Sequence, residues 1–588
     1  MIYLSQNVLY KGLKQGKMGT IIKRKNKSGI YYYYVESARV NGKPRIVKQE
    51  YLGTAEKIAE KISKKSSEKT IVEPKEVTVY EFGAVMALYS VAERLGIAEI
   101  IDRNAGKREQ GLAVSTYMIM AAINRVVEPT SKNGFYEWYN RTVLRKIYPE
   151  ANRKNLSSQG FWDNMWELDE EKIVRIEDAI TKRVVERYGI SIDSLLFDNT
   201  NFYTYIDTAN PSALAKRGHS KQKRADLKIV GLSLMVSPDH NIPLFHEVYP
   251  GNKHDAQQFS EVIGRLKARY RNLGKGDCSV TLVFDKGNNN DDNIAELLKT
   301  TPCAFHFVGG LRQNQCAELM LVPKSEYVLL DGEFHGASAY RTTTYIYERN
   351  FTALVTYNPE LFKAQMEGVT ANIASCEKAL SDLKERLRLR REGIITKGKN
   401  PTVASIEKNV SGILSAEHMR DIFDYTVTGE PGKTPELSFS LNHDRFSELQ
   451  EHSLGKSILF TDHDDWSSER IVIAYRSQFH VEDAFRQMKD TKYLSFRPVR
   501  HSTDHQIRVH AFYCVLALLL ASLLNKELDF MGHKLSIHHM IDVFTRSQQV
   551  FSLFPSPDGK IITHTSYSRL DGIVMDFVSK FNLLDYFR

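Results

Sequence analysis

Cysteine is scarce: there are 5 in 588 residues, Cys278, Cys303, Cys316, Cys376 and Cys514, with no CxxC pair. An odd number scattered this widely excludes a disulfide framework, and reduced thiols are expected. Long apolar runs are missing too. The longest, Ala511–Leu524, has 14 residues between His510 and Asn525, too short to span a bilayer. No signal-peptide pattern is present. A soluble cytoplasmic protein without a membrane partner is therefore expected. Compositional bias is absent as well: 42% hydrophobic and 26% charged residues exclude a disordered or collagen-like chain. The length is too great for one ordinary domain. Against 71 acidic residues stand 80 Lys+Arg, a net of +9. Residues 1–69 alone hold 16 Lys/Arg and 5 Asp/Glu, a net of +11, so the remainder nets −2. Basic charge confined to the head is the pattern of one module that meets a polyanion.

The segment Gly19–Gly53 reads as three strands broken at NKSG and NGKP, with the aromatic and β-branched IYYYYVESARV between them. Lys23, Arg24, Lys25, Lys27, Arg39, Lys43, Arg45 and Lys48 surround it. Lysines that protect sheet edges would explain them; the concentration of charge favours a phosphate-gripping sheet. A short helix and a Lys/Ser/Glu-rich linker follow. Residues 79–188 have helical spacing and name no chemistry of their own. From Gly189 short apolar strands begin, in the order strand, hairpin across Ser237–His240, helix, strand, helix, strand: an α/β unit. An interruption from Gly310 to about Gly455 contains Ile373, Cys376, Leu380, Leu383 and Leu387 at 3-4-3-4 spacing, a helix expected to pack inside its own domain. After Ser467 one long helix is expected, then an apolar one. The segments are thus 1–78 (basic sheet and linker), 79–188 (helical), 189–310 and 456–525 (two parts of one core), 311–455 (insertion) and 526–588.

Asp198 follows the apolar run Leu195–Phe197, and Asp285 follows Val280–Phe284. One carboxylate at the end of a buried strand is more often a cap or turn residue. Two in one α/β unit suggest facing carboxylates that need cations between them. In SERIVIAYRSQFHVEDAFRQMKD, Ile471, Ala474, Gln478, Val481, Phe485 and Met488 form a core stripe. Tyr475, Phe479, Glu482, Arg486 and Lys489 run beside it, which puts Glu482 at the border of the buried face. Taken alone, Glu482 and Arg486 would be a surface i,i+4 pair.

As a whole, this order of Asp, Asp and Glu resembles the DDE transposases of bacterial insertion sequences. Tyr475, Glu482 and Lys489 match the spacing of the Y-x2-R-x3-E-x6-K element of the insertion-sequence-four superfamily, with Gln478 in the place of its Arg. RGHSKQKRADLK, IPLFHEVYPGNKHDAQQF, GKPRIVKQEYLG and EPTSKNGFYEW resemble its sixteen-thirty-four branch. The resemblance implies an α/β fold with a ribonuclease H-like catalytic core, interrupted by an insertion domain and preceded by the basic β-sheet and helical domain. It implies Asp198, Asp285 and Glu482 as a catalytic triad holding two Mg²⁺, with Mn²⁺ as substitute, a metal that oxygen donors suit. Tyr475 and Lys489 would contact a terminal phosphate, and Arg476 or Arg486 would replace the missing Arg, Arg486 being favoured because it shares the Glu482 stripe. Beside such a site, Arg217, Lys221, Arg224 and Lys228 become a DNA-tracking loop. Asp193, Asp207, Asp291 and Asp292 are expected in turns or helix starts, and Trp466 as a staple before the N-cap Ser467. The implied partners are double-stranded DNA, element ends and target, and a second copy of the chain in a dimer. A metal-dependent nuclease without strand transfer and a non-catalytic DNA-binding derivative remain as alternatives.

Overall fold

A computed structural model describes residues 19–26, 29–40, 43–65, 73–106, 111–273, 280–299, 305–332, 334, 336–556, 560–570 and 572–587. Parts of the NKSG and NGKP turns, Lys27, most of the linker after Lys65, Cys278 and Cys303 lie outside these residues. Two compact units are found, residues 1–78 with 551–565, and residues 79–550 with 566–588.

In the first unit Gly19–Asn26, Gly29–Val40 and Lys43–Gly53 pair antiparallel in chain order. Tyr51 packs against Tyr31 and Tyr33 with ring centroids 5.9 and 5.2 Å apart. Cross-strand aromatic contacts of this kind hold a small sheet that has almost no buried interior. Lys23, Arg24, Lys25, Lys43, Arg45 and Lys48 are all exposed.

The second unit is built on a nine-stranded mixed sheet. Its order is Val328–Leu329, Ser338–Ile346, Arg349–Tyr357, Lys456–Thr461, Phe305–Leu311, Val280–Phe284, Ser194–Tyr203, Ile229–Val236, Pro243–Pro250. Val280–Phe284 runs parallel to both neighbours, and the remaining pairs are antiparallel. All five residues of Val280–Phe284 are buried, as continuous apolar runs are when both faces of a strand are covered. A phenylalanine ladder ties the central strands together on one face. Phe197 and Phe284 each lie 5.0 Å from Phe259 of the helix Asp255–Leu273. Phe284 continues to Phe307 at 5.8 Å, and Phe307 to Phe460 at 4.8 Å.

The insertion divides its labour. Three of its strands extend the sheet, while Pro359–Arg391, Val403–Ile413 and the hairpin Phe423–Thr428/Glu436–Leu441 enclose a separate core. Ile373, Cys376, Leu380, Leu383 and Leu387 are the buried stripe of that long helix. The apolar run Ala511–Leu524 corrects an expectation about length. It lies inside a 27-residue helix, Asp504–Phe530, long and apolar enough to cross a membrane by length and composition. Here 94% of its apolar window is buried in protein, where it packs on Val114–Val127, Gly83–Arg94 and Pro243–Pro250.

A buried ionic knot fastens Glu170–Tyr188 to the sheet. The Glu177 carboxylate accepts from Arg269 Nη2 at 2.7 Å and from the His246 amide at 3.0 Å, and its Oε1 lies 2.5 Å from His246 Nδ1. Burial pushes this carboxyl up, but Arg269 and His246 outweigh burial and hold it below the usual range. A depressed carboxylate stabilises above its unfolded pKa, and that stability is lost as pH falls. Glu177→Ala should therefore cost about 1.5–3 kcal/mol at neutral pH by removing one of the two carboxylates that hold the buried Arg269, Asp178 being the other. Denaturant melts should show the gap to wild type narrowing below pH 4.5, the ordinary glutamate value; a gap independent of pH would rule the ion pair out as its source.

Candidate active site

Register sets this site. Phe197 pairs with Phe284 across parallel strands, so Asp198 and Asp285, each one residue further on, stand side by side on strands about 4.8 Å apart. Successive side chains alternate between faces, and the two phenylalanines face Phe259; the aspartates therefore face the other side. Asp285 directly follows the last strand residue with extended backbone, φ −79° and ψ 159°. Asp198 is not at a strand end, contrary to the sequence expectation. Its strand continues through Tyr203 because Asn199–Tyr203 pair antiparallel with Ile229–Ser233.

Burial pushes the Asp198 carboxyl up to about 7, and Asp285 and Asp255 add to the shift. Lys221 and the Asn199 amide, which donates to Asp198 Oδ1 at 2.7 Å, oppose it. Negative charge has been gathered here faster than positive charge.

The expected long helix is two helices, Ser468–Arg476 and Phe479–Lys489, broken at Ser477–Gln478. Ser477 Oγ donates back to the Ala474 carbonyl at 2.6 Å, a bond that competes with helix continuation. The core stripe of Ile471, Ala474, Gln478, Val481, Phe485 and Met488 is nonetheless buried throughout. Gln478 Nε2 points to the Phe197 carbonyl at 3.5 Å. Tyr475 donates its hydroxyl to Asp285 Oδ1 at 3.3 Å. Burial raises the Tyr475 phenol, and Asp285, Glu482 and Asp198 raise it further, so one phenol senses all three carboxylates. Glu482 itself is exposed on the first turn of its helix. Lys489 Nζ donates to Thr200 Oγ1 at 2.6 Å; burial, then Lys221, lowers its ammonium to about 8. Lys221 Nζ donates to the Asn199 carbonyl at 2.5 Å and lies 3.6 Å from Asp255.

Other expected contacts are placed elsewhere. Arg486 pairs with Asp483, three residues back, not with Glu482, and its side chain is 82% exposed. Together with His480 and Gln487 it lines a groove. Arg224 is held by both carboxylate oxygens of Asp226 at 2.8 and 2.7 Å. Lys228 is buried, its ammonium donating to the Asn210 carbonyl at 2.6 Å. Arg217 is exposed. Of the four loop cations, Lys221 reaches the strand that carries Asp198 at the Asn199 carbonyl, and Arg224 lies over the ring of Tyr203 at its far end, 5.3 Å from the centroid. Trp466 does precede the N-cap Ser467; its ring stacks on His463 at 3.8 Å and lies under Arg470 at 3.9 Å. Asp193 and Asp207 accept bonds in local turns, and Asp291 and Asp292 sit in a first helical turn behind the N-cap Asn290.

Sequence reasoning missed Arg497, which donates to the Tyr203 hydroxyl and, at 2.5 Å, to the Lys489 carbonyl. It also missed Asp255, whose only sequence signal was its place in the NKHDAQQF stretch. His306, Asp462 and His463 form a separate group with ligand-type atoms within 4.8 Å of one another. That group lies toward the other end of the sheet, since His306 pairs with Thr281 and not with Phe284. In this group His306 Nδ1 is 2.8 Å from Asp462, and His463 Nε2 is 2.8 Å from Thr281 Oγ1.

A sequence-family model described as "Transposase DDE domain" matches residues 192–520. No curated protein matches the chain. Solved structures similar to it include a piggyBac transposase synaptic complex with hairpin DNA, determined by cryo-EM, at 9% identity and a TM-score of 0.36 over 80% of this chain and 82% of that one. Another is a Mos1 transposase paired-end complex with the left transposon end, at 11% identity and a TM-score of 0.14 over 34% of this chain and 60% of that one.

Gly310 sets the reach of Tyr475, because a Cβ there would lie 2.5 Å from the tyrosine hydroxyl. Gly310→Ala should destabilise by about 1–3 kcal/mol through overpacking. Adding Tyr475→Phe, which removes the clashing oxygen, should recover at least about 0.5 kcal/mol in a double-mutant cycle. Strictly additive costs would show that the hydroxyl does not depend on the glycine.

Proposed function

The chain belongs to the transposase DDE domain family, and from that premise we propose that it binds the ends of a mobile DNA element, cleaves strands there and joins them to target DNA. The observation that carries this reading is the Phe197–Phe284 register, which sets Asp198 beside Asp285 under a tyrosine that also senses Glu482. We read the sheet and its covering helices as a ribonuclease H-like core, from about 189–310 and 456–525, interrupted by residues 311–455. Two ends must be held for joining, so a dimer is the working assembly.

The donors fit Mg²⁺, with Mn²⁺ as substitute. Asp198, Asp285 and Glu482 offer only hard oxygen atoms, and the elevated Asp198 carboxyl marks a place short of positive charge. Two such ions, held by these three carboxylates, would supply Lewis acidity to the attacking and leaving oxygens of an in-line phosphoryl displacement. The chain's own groups do the positioning. Tyr475 Oη donates to one oxygen of Asp285, Oδ1. The Asn199 amide does the same for Asp198 Oδ1. Lys489 and Lys221 present ammonium groups to phosphate oxygens, and Arg497 braces the last turn that carries Lys489. Water serves as nucleophile for cleavage and a strand 3′-OH for joining, so no serine or tyrosine of the chain becomes esterified. The basic sheet Gly19–Gly53 grips phosphates outside the site.

Purified protein incubated with labelled element-end DNA and Mg²⁺ should nick at the element boundary. Asp285→Asn and Glu482→Gln should abolish the nick and keep end binding, whereas Asp291→Asn and Arg486→Ala should stay within about twofold of wild type, as exposed groups outside a site do. A tenth of the activity surviving in Asp285→Asn would remove that residue from the site. Strand transfer from a pre-cleaved end should occur; its absence beside intact nicking would make the protein a nuclease. Deleting residues 1–69 should flatten the slope of log affinity against log salt, which counts phosphate contacts.

A further inference from the structure

A cavity of about 260 Å³ opens beside the segment that leaves the Lys489 helix. Its walls come from the Thr130–Asn133 part of the EPTSKNGFYEW stretch, from Ser158 and Trp162, and from Pro498–Ser502. Arg125, Lys132 and Arg500 line it together with the two buried imidazoles His501 and His510, and no carboxylate does. Among the described residues no Asp or Glu makes an ion pair with any of the three cations. Arg125 is buried and spends its guanidinium on the Thr130 and Arg497 carbonyls at 3.2 and 3.4 Å. Lys132 Nζ sits between aromatic faces, 4.3 Å from the Phe161 ring and 4.5 Å from that of Tyr513, with the Tyr513 hydroxyl at 3.1 Å. Arg500 stands exposed at the mouth.

Gathering cations away from water without counter-charge is unfavourable, and its cost is visible in the neighbours. Burial, then Lys132 and Arg125, pulls the His501 imidazole down to about 3. Burial, then Arg125, lowers the Lys132 ammonium. The carbonyls and aromatic faces that hold Arg125 and Lys132 carry no net negative charge. What the cavity lacks is an anion of small size, and the Ser131 hydroxyl at the rim is suited to donate to one, whereas Ser158 Oγ already donates to Asn133 Oδ1 at 2.7 Å. We propose that the cavity is a phosphate-binding site that takes one tetrahedral phosphate group between Arg125, Lys132 and Arg500, and that a DNA strand supplies it. The chemistry of the site stands on the cavity; the DNA source rests on the transposase reading. Continuity with the carboxylate site supports that source. Arg125 and Arg497 meet through the Arg497 carbonyl, and Arg497 holds the Lys489 carbonyl in turn, so a strand lying along Lys489 runs on toward the cavity.

Inorganic phosphate titrated into the full chain should change Trp162 emission and saturate, with Trp162→Phe identifying the signal. Arg500→Ala, an exposed change that leaves the melting temperature alone, should weaken phosphate at least about tenfold, the scale of a lost charged hydrogen bond. Lys132→Met should weaken it as much. No saturable response, or an affinity indifferent to Arg500→Ala, overturns the site. Binding of duplex DNA as a function of salt distinguishes the sources: Arg500→Ala should reduce the slope by about one, and phosphate should compete with the duplex. An unchanged slope with phosphate binding intact overturns the DNA source and leaves a free-phosphate site. Failure here beside loss of nicking in Asp285→Asn would leave the transposase reading standing, so the two are separable.

Discussion

Parallel pairing between Ser194–Tyr203 and Val280–Phe284 is the constraint on which the rest depends. With a side-chain period of two, a slip of one residue between these strands would send one aspartate to the Phe259 side and part the pair. Phe197 and Phe284, joined through Phe259, and Phe307 and Phe460 beyond them make such a slip costly, since these buried rings pack in series. The apolar face thus pays for the placement of charge on the polar one. Gly309 and Gly310 show the same division within one strand: a Cβ on the first would strike Phe460 and Phe284, and on the second Tyr475.

On the polar face the protein accepts an electrostatic imbalance. Asp198, Asp285 and Asp255 converge where Lys221 and Lys489 only partly answer them, and both Asp198 and Lys489 titrate far from their ordinary values. Groups displaced toward neutrality in this way are typical of sites that handle charge brought from outside. The cavity near His501 has the opposite sign and the same logic. Glu177 shows how the fold behaves when a buried charge is meant only to hold it together, with Arg269 and His246 supplying full compensation.

How much of this was legible in the sequence follows from the range of each signal. The α/β order, the buried stripe from Ile471 to Met488 and the insertion helix from Ile373 to Leu387 rest on local periodicity, and they appear in the structure. Asp198 and Asp285 were legible as carboxylates after apolar runs, although the strand of Asp198 was too short in that reading, because NTNFY does not look apolar until its partner strand is known. The break at Ser477–Gln478 was missed since helical spacing persists through it. The partners of Arg486 and Lys228 were not legible for one reason: a cation's partner within the fold is chosen by tertiary geometry, here Asp483 and the Asn210 carbonyl. Arg497 and the His501 cavity join residues hundreds of positions apart, and no window on the sequence contains both sides.

The insertion also sets an order of assembly. Lys456–Thr461 lies directly against Phe305–Leu311, and Thr461 Oγ1 bonds to the Phe307 carbonyl 154 positions away. Closing so long a loop costs little more than closing a moderate one, because the entropy grows only with the logarithm of length. Its effect is on timing, since distant pairings form slowly. A chain emerging from its amino end can pair Asp198 with Asp285 while Tyr475, Glu482 and Lys489 are still to come. The two aspartates can therefore be paired first, and Tyr475 reaches Asp285 only once the strand after the insertion has docked and carried its helices across the sheet.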